Sequence, residues 1–169
     1  MNTPISDEMI AGLTTGEMIT LSGTVYTARD AAHKRMVEML NRDEEPPFPF
    51  MGQVVFYAGP CPNPPGRVIG SIGPTTSGRM DAYTPLLIRR GLKVMIGKGS
   101  RNADVVEAIR ECCGVYLAAI GGAAALMSRC VKKAEVVAFD DLGTEAVRRL
   151  TVERLPLIVA IDSRGNCIY

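Results

Sequence analysis

Apolar residues along the chain follow two alternating patterns, one typical of strands and one typical of helices. Alternating or continuous apolar runs predict strands over residues 17–27, 53–58, 67–72, 93–96, 115–120, 135–139 and 157–161. Apolar residues at helical spacing predict helices over residues 29–40, from 79 to about 90, over 102–112, 123–131 and 144–150. Strands and helices therefore alternate, which indicates a single α/β domain over residues 1–169.

The most informative stretch is residues 73–79, GPTTSGR, which lies between a predicted strand and a predicted helix. Glycines allow a sharp turn there, and free N–H groups at a helix start favour an anion. Arg79 adds a forked cation that suits a carboxylate or a phosphate. The stretch predicts an anion site, and the competing interpretation is a capped helix with Thr75 or Thr76 as N-cap and Arg79 in solvent.

Two further predicted strand-to-helix junctions also carry a cation. Lys98 lies between two glycines in residues 97–100, and Arg29 and His33 are four residues apart at the start of the helix from residue 29. Ligands collect at such strand ends in α/β sheets. Taken singly, each has an ordinary alternative: a surface lysine, a structural histidine, and an Asp30 that complements a helix N-terminus. Their common position favours one shared anion site.

Composition excludes several other classes of protein. The 169 residues include 19 basic and 18 acidic residues with no basic block, so nucleic-acid binding is not expected. No apolar run approaches the roughly 20 residues that cross a bilayer. The first residues lack the pattern of a signal peptide, so we expect a cytoplasmic protein with reduced thiols. Five scattered cysteines without a CxxC pair, and a single histidine, predict no metal site within this chain.

Taken together, these motifs resemble those of a known family. The relevant runs are GPTTSGRMDAY, IGKGSRN, SGTVYTARDAAHKR, YLAAIGGAAAL and IDSRGN. They resemble the beta subunit of class I iron–sulfur fumarases, the C-terminal half of single-chain relatives, and the beta subunit of tartrate dehydratase. The resemblance extends from about Leu21 to the end. It implies a swivelling β/β/α three-layer domain with a mixed sheet, and a partner alpha subunit that carries a [4Fe–4S] cluster on its own cysteines.

The resemblance also implies roles for particular residues. Thr75 matches a threonine with a proton-transfer role, whereas Arg29, Thr76, Arg79 and Lys98 match residues that contact the substrate. The expected reaction is reversible hydration of fumarate to L-malate, in which the partner's iron acts as a Lewis acid on the leaving hydroxyl. The cations of this chain would neutralise the substrate carboxylates.

Other functions remain open at this point. Tartrate is an alternative substrate, although Gly78 favours fumarase because tartrate dehydratases often have alanine at that place. Threonine is a poor base, so Thr75 needs an activating neighbour. We expect that neighbour to be an acidic residue of the alpha subunit. This chain offers no better base nearby in sequence than His33 or Asp81. A non-catalytic anion-binding or nucleotide-binding module, and a self-contained isomerase that uses Lys98 or His33, are the remaining alternatives.

Overall fold

The structure is a computed structural model that describes residues 1–120 and 122–169. Its α-helices are α1 (Asp7–Ala11), α2 (Asp30–Asn41), α3 (Thr84–Arg89), α4 (Ala103–Cys112) and α5 (Ala124–Cys130). Its strands are β1 (Met18–Thr27), β2 (Val54–Phe56), β3 (Val94–Gly97), β4 (Val115–Ala118), β5 (Val131–Ala138) and β6 (Val147–Ile161). Two 3-10 helices cover Ser77–Met80 and Asp140–Glu145. None of the helices within residues 1–120 and 122–169 is long and apolar enough to cross a bilayer.

The six strands form one mixed sheet that closes on itself. Strands β1, β2, β3 and β4 pair in parallel in that order, and β6 pairs antiparallel with β4. Strand β6 also pairs antiparallel with β1 along most of its length, which completes a ring of five strands. Strand β5 pairs antiparallel with residues 147–152 of β6, on the edge of β6 that faces away from β1.

Two apolar cores lie on the two sides of this sheet. Alternate strand residues such as Leu21, Phe56 and Ile96 point into one core, which the ring of strands encloses. The intervening residues, such as Tyr57 and Met95, point outward and pack against α2, α3 and α4. The predicted mixed sheet in a three-layer α/β arrangement is therefore confirmed.

The parallel strands bring two of the predicted junctions to the same edge. Thr27 at the end of β1 is in register with Phe56, Phe56 with Ile96, and Ile96 with Leu117. The segments that follow β1 and β3 therefore leave the sheet at the same edge, separated by the width of β2. Those segments carry Arg29 and Lys98.

Two predicted elements are wrong. Residues 67–72 form no strand, because their backbone hydrogen bonds go to the neighbouring proline-rich loop. Asn63 binds the carbonyl of Val68 and the N–H of Gly70 through its side chain, and the Cys61 N–H donates to Ser71. Within the described chain, these bonds replace the strand ladder that the apolar pattern suggested.

The predicted helix over residues 144–150 is instead the start of β6, which begins at Val147. Buried Val147 and Leu150 are three residues apart, which is helical spacing. Val147 and Leu150 nevertheless point into opposite cores, as residues three apart in a strand do, so burial on both sides of the sheet hides the alternation that marks a strand. The predicted helix after residue 79 also divides into a 3-10 turn and α3, and the expected opening of α5 at Gly121 lies outside the described residues.

Candidate functional site

The GPTTSGR loop, residues 73–79, lies directly against the loop that follows β3. Thr76 and Lys98 form a parallel bridge, in which the Ser77 N–H donates to the Lys98 carbonyl at 2.9 Å. The Lys98 N–H approaches the Thr75 carbonyl at 3.4 Å, and the Thr75 N–H donates to the Tyr57 carbonyl at 2.6 Å. Three of the predicted site residues thus share one short stretch of paired backbone.

The first residues of α2 join this cluster through one carboxylate. Arg79 donates from Nε to Asp30 Oδ1 at 2.9 Å. The guanidinium of Arg29 lies 3.9 Å from Asp30 Oδ2 and 3.5 Å from Glu145 Oε1. The structure therefore places Arg29, Arg79 and the Thr76–Lys98 bridge at one edge of the sheet, as the common position of the motifs predicts.

Glu145 is a member of this cluster that the sequence interpretation missed. Its Oε2 accepts a hydrogen bond from the Ala31 N–H at 2.9 Å, so it caps α2 from a distant part of the chain. Beside it, Gly59 leaves the space that Arg29 needs: a Cβ there would lie 3.2 Å from Arg29 Cδ and 2.7 Å from the Thr144 carbonyl oxygen. The sequence pattern did not indicate Glu145 as a site residue, because residues 144–150 were predicted to form a helix, whereas Glu145 lies just before strand β6.

The cluster is open to solvent but contains unsatisfied buried atoms. Thr76 and Lys98 are exposed, and the side chains of Arg79 and Arg29 are 52% and 22% exposed. Among the described residues, Arg29 Nε and Asp30 Oδ2 are buried without a hydrogen-bond partner. Buried polar atoms are nearly always paired, so these two atoms indicate a place where a polar ligand or water completes the bonding.

The electrostatics of the cluster favour an anion. The side chains of Arg29 and Arg79 pair with the carboxylates of Asp30 and Glu145, and the exposed Lys98 adds a third cation on the adjoining loop. Within the described chain, Arg79 uses only Nε in a hydrogen bond, so its two terminal nitrogens stay available. A guanidinium presented in this way can grip a carboxylate with two parallel hydrogen bonds.

The capped-helix interpretation is correct about the positions of Thr76 and the exposed Arg79, but it is wrong about a capping hydrogen bond. Thr76 is the N-cap of the 3-10 turn Ser77–Met80, but its side chain makes no capping hydrogen bond. The turn is only four residues long, and the N–H groups of Thr75 and Ser77 are already bonded to carbonyls. The N–H groups of Thr75 and Ser77 are therefore not available to an anion, whereas the side chains of Arg79 and Lys98 are exposed.

His33, one of the two possible bases in this chain, is buried on the inner side of α2. Its Nδ1 lies 2.9 Å from the Arg29 carbonyl oxygen, which can only accept, so Nδ1 carries the proton and Nε2 carries a lone pair. Burial lowers the pKa of His33 to about 4. The imidazole is therefore neutral at pH 7, and it serves to hold the backbone at Arg29.

Asp81, the other possible base, is fully engaged in a buried ion pair. It accepts a hydrogen bond from Arg101 Nε at 2.7 Å and another from the Asn102 N–H at 2.7 Å. The side chains of Arg101 and Asp81 are 0% and 10% exposed. A carboxylate held in this way is a structural anchor and is poorly placed to take a proton from a substrate.

The iron–sulfur cluster that the resemblance implies does not fit the residues of this chain. All five cysteines are free thiols: Cys61, Cys112, Cys113, Cys130 and Cys167. Within residues 1–120 and 122–169, no three histidine, cysteine or acidic side chains lie close enough together to hold a metal ion. Cluster iron requires several converging thiolates.

Comparison with known proteins identifies the family. The family model described as "Fumarase C-terminus" matches residues 1–169. The chain belongs to this family. The resemblance drawn from the motifs is thereby confirmed.

Individual relatives of the Fumarase C-terminus chain fall into two groups by length. "Fumarate hydratase 1, mitochondrial" of Leishmania major is 43% identical over 153 residues, which cover 89% of this chain and 28% of the relative. "Fumarate hydratase class I, anaerobic" of Escherichia coli strain K12 is 38% identical with the same coverages. "Putative L(+)-tartrate dehydratase subunit beta" of Methanocaldococcus jannaschii is 41% identical over 163 residues, 93% of this chain and 84% of the relative. The chain thus spans less than a third of the fumarate hydratases.

Gly78 is the residue at which the two kinds of relative were expected to differ. A Cβ at this position would lie 3.9 Å from the nearest backbone oxygen, that of Ser100, which is ordinary contact. Glycine is therefore not required by the packing of this Fumarase C-terminus chain. The residue at position 78 is free to vary with the ligand.

Proposed function

We propose that this chain is the beta subunit of a class I fumarate hydratase, which catalyses the reversible hydration of fumarate to L-malate. The observation that carries the proposal is the cationic cluster of Arg29, Arg79 and Lys98 in a domain of the Fumarase C-terminus family. The three cations exceed the two carboxylates of Asp30 and Glu145 by one positive charge, which favours an anionic ligand such as a small dicarboxylate. The fumarate hydratase relatives support this choice of substrate.

The substrate carboxylates are bound by side chains of three segments. Arg79 offers its two terminal nitrogens to one carboxylate, while Asp30 fixes its Nε. The unpartnered Nε of Arg29 is a donor that the substrate can satisfy. Lys98 and the hydroxyl of Thr76, which lie side by side on the paired backbone, complete the substrate contacts. Cations placed in this way stabilise charge that builds on a carboxylate when the neighbouring carbon loses a proton.

The proposed proton-transfer group is the hydroxyl of Thr75. Its backbone is held on both sides, by Tyr57 and by Lys98, so the side chain projects from a fixed point. A hydroxyl needs an activating base. In the described chain, burial lowers the pKa of His33 to about 4, which makes it a weak base, and Asp81 is paired with Arg101, so neither suits this purpose. We propose that an acidic residue of the partner subunit does.

The rest of the site belongs, in this proposal, to a cytoplasmic alpha subunit that carries the [4Fe–4S] cluster. Three features support a partner: the exposed position of Thr76 and Lys98, the lack of converging cluster ligands in the described residues, and the similarity to a protein named as a subunit beta. The two subunits would form a hetero-oligomer, with the anion-binding residues on one chain and the iron on the other.

The second candidate function is that of an L-tartrate dehydratase beta subunit. The relative of that name is 41% identical to this chain and matches over 84% of its own length. Tartrate is also a small dicarboxylate, and the same cations would bind it.

The decisive experiment assays the chain with its alpha partner. The two chains are co-expressed, purified without oxygen, and tested on malate, fumarate and tartrate. We expect fumarate hydration by the pair, and no activity and no brown colour for this chain alone after anaerobic iron–sulfur reconstitution. Preferential dehydration of tartrate would select the second candidate. Tight binding of a dicarboxylate or nucleotide by this chain alone, with an inactive pair, would instead identify an anion-binding module.

Arg79→Lys should damage the pair almost as strongly as Arg79→Ala. Lysine keeps the charge, but it cannot bind Asp30 and grip a carboxylate with two further nitrogens at the same time. We expect kcat/KM to fall by an amount equivalent to about 2–4 kcal/mol of transition-state stabilisation. Steady-state kinetics with matched cluster content measures this loss.

Arg89→Lys is the matched control for that substitution. Arg89 also pairs through Nε and a terminal nitrogen with a carboxylate, that of Glu111, and it is about as exposed as Arg79, but it lies on α3. The control should keep normal kcat/KM. If Arg79→Lys behaves like Arg89→Lys, Arg79 is an ordinary surface arginine and the proposed grip is wrong.

A further inference from the structure

A buried tyrosine hydroxyl lies beneath the two loops of the candidate site. Tyr116 of β4 is fully buried, and its hydroxyl lies 2.8 Å from Ser77 Oγ and 2.9 Å from the Gly99 carbonyl oxygen. Since a carbonyl only accepts, Tyr116 donates its proton to Gly99 and receives the hydrogen bond of Ser77. Burial raises the pKa of Tyr116, so the hydroxyl keeps this proton at all ordinary pH values.

The two partners of this hydroxyl are the immediate neighbours of proposed substrate-binding residues. Ser77 follows Thr76 in the chain, and Gly99 follows Lys98. Two backbone hydrogen bonds pair the loops, and they differ in length. The Ser77 N–H lies 2.9 Å from the Lys98 carbonyl, whereas the Lys98 N–H lies 3.4 Å from the Thr75 carbonyl, which is a weak bond. The Tyr116 hydroxyl therefore provides a second connection between the loops, one residue beyond the bridge.

Arg101 packs against the aromatic ring of Tyr116 and holds it in place. Its guanidinium lies 5.1 Å from the centre of the Tyr116 ring and 5.2 Å from that of Tyr57. Hydrogen bonds to Asp81 and Thr84 fix the same guanidinium. A ring that is packed against a fixed cation cannot swing away from the loops without breaking these contacts.

We propose that Tyr116 is a positioning residue that sets Lys98 relative to Thr75 and Thr76 through its hydrogen bonds to Ser77 and Gly99. The loop connection is a property of this chain alone. Its effect on catalysis rests on the proposed function, in which Lys98 and Thr75 act on the same dicarboxylate. The hydroxyl does not touch the substrate, so it acts only through the residues that it holds.

Tyr116→Phe tests the connection directly, because it removes the hydroxyl and keeps the ring. In the chain alone, amide hydrogen exchange by NMR should become about tenfold faster at Ser77 and Lys98, which is the scale of one lost hydrogen bond. Amides in the middle of β3, such as that of Met95, should not change. Tyr26→Phe is the matched control, since Tyr26 is also buried but stacks on Phe48 outside the site loops.

Kinetics of the two-subunit enzyme provide the second readout. We expect Tyr116→Phe to lower kcat by about 10- to 100-fold with little change in KM, because a misplaced catalytic group loses orientation rather than binding. Ser77→Ala removes the other half of the connection and should change exchange and kcat in the same direction. Tyr26→Phe should leave both readouts at the wild-type values.

The outcomes separate this proposal from the proposed function. If Tyr116→Phe and Tyr26→Phe show the same exchange at Ser77 and Lys98, the positioning role is wrong. Faster exchange with unchanged kcat per folded complex would also overturn it, because the connection would then be structural only. A wild-type pair without hydro-lyase activity would overturn the proposed function, and the exchange experiment would still decide whether Tyr116 joins the loops.

Discussion

In the proposed two-subunit enzyme, Thr75→Ala should lower kcat by about 10²–10⁴, the usual contribution of a group that transfers a proton, with only a modest change in KM. Backbone hydrogen bonds hold Thr75 on both sides, so the substitution removes the hydroxyl without releasing the loop. The Thr75 hydroxyl also plays no capping role, because Thr76 is the N-cap of the 3-10 turn Ser77–Met80 and the turn has no side-chain capping hydrogen bond. The free energy of unfolding should therefore change little.

Thr75→Ser is the control, because it keeps the hydroxyl and should retain most of kcat. Both variants are assayed with matched cluster content, and exchange of the C3 hydrogen of malate with deuterated water is followed in parallel. A proton-transfer role requires that Thr75→Ala slows this exchange together with turnover. Normal exchange and normal turnover in the alanine variant would assign the proton chemistry to the partner subunit alone.

The largest effect on stability should come from the buried pair of Asp81 and Arg101. Asp81→Asn leaves the Arg101 guanidinium charged, buried and without its anion, and breaking one side of such a pair costs about 3–5 kcal/mol. Urea unfolding, with the slope compared between variants, measures this loss. Asp141→Asn is the control, since Asp141 binds Arg35 with two hydrogen bonds at the exposed surface, and it should leave the midpoint almost unchanged.

A double variant separates stability from function at the same place. Asp81→Asn combined with Arg101→Met removes both charges, and it should recover part of the lost stability because apolar replacement of a buried pair is often tolerated. The proposed enzyme should nevertheless remain impaired, because Arg101 no longer holds the rings of Tyr57 and Tyr116 beneath the two site loops. If the double variant is no more stable than Asp81→Asn, the unpaired charge is not the cause of the loss.

The sequence was sufficient to predict most of the fold, because buried strands and amphipathic helices have distinct apolar periods. Strands β1 to β4 and helices α2 and α4 lie close to their predicted positions. Prediction failed where residues distant in sequence determine the local structure. The segment 67–72 is held by Asn63 and the proline-rich loop, and the first residues of β6 resemble a helix because Val147 and Leu150 are buried on opposite sides of the sheet.

The candidate site could be predicted in part, from the cations in three motifs. The structure places Arg29, Arg79 and Lys98 at one edge, but it also adds partners that no motif indicated. Glu145 reaches Arg29 only because β6 runs antiparallel to β1, and that pairing depends on the strand that was predicted as a helix. Recognition of the alternating residues after Leu150 as one long strand would have placed Glu145 beside α2.

The closure of the sheet by β6 has a consequence for how the chain acquires its structure. Met18 pairs with Ile158 and Thr27 with Arg148, so β1 cannot complete its pairing until β6 is in place. Pairings between such distant residues require the ordering of a long intervening loop, and they slow folding. Glu145, which caps α2 and contacts Arg29, reaches its place only with this late step. During synthesis, the anion-binding cluster should therefore be among the last parts of the domain to form.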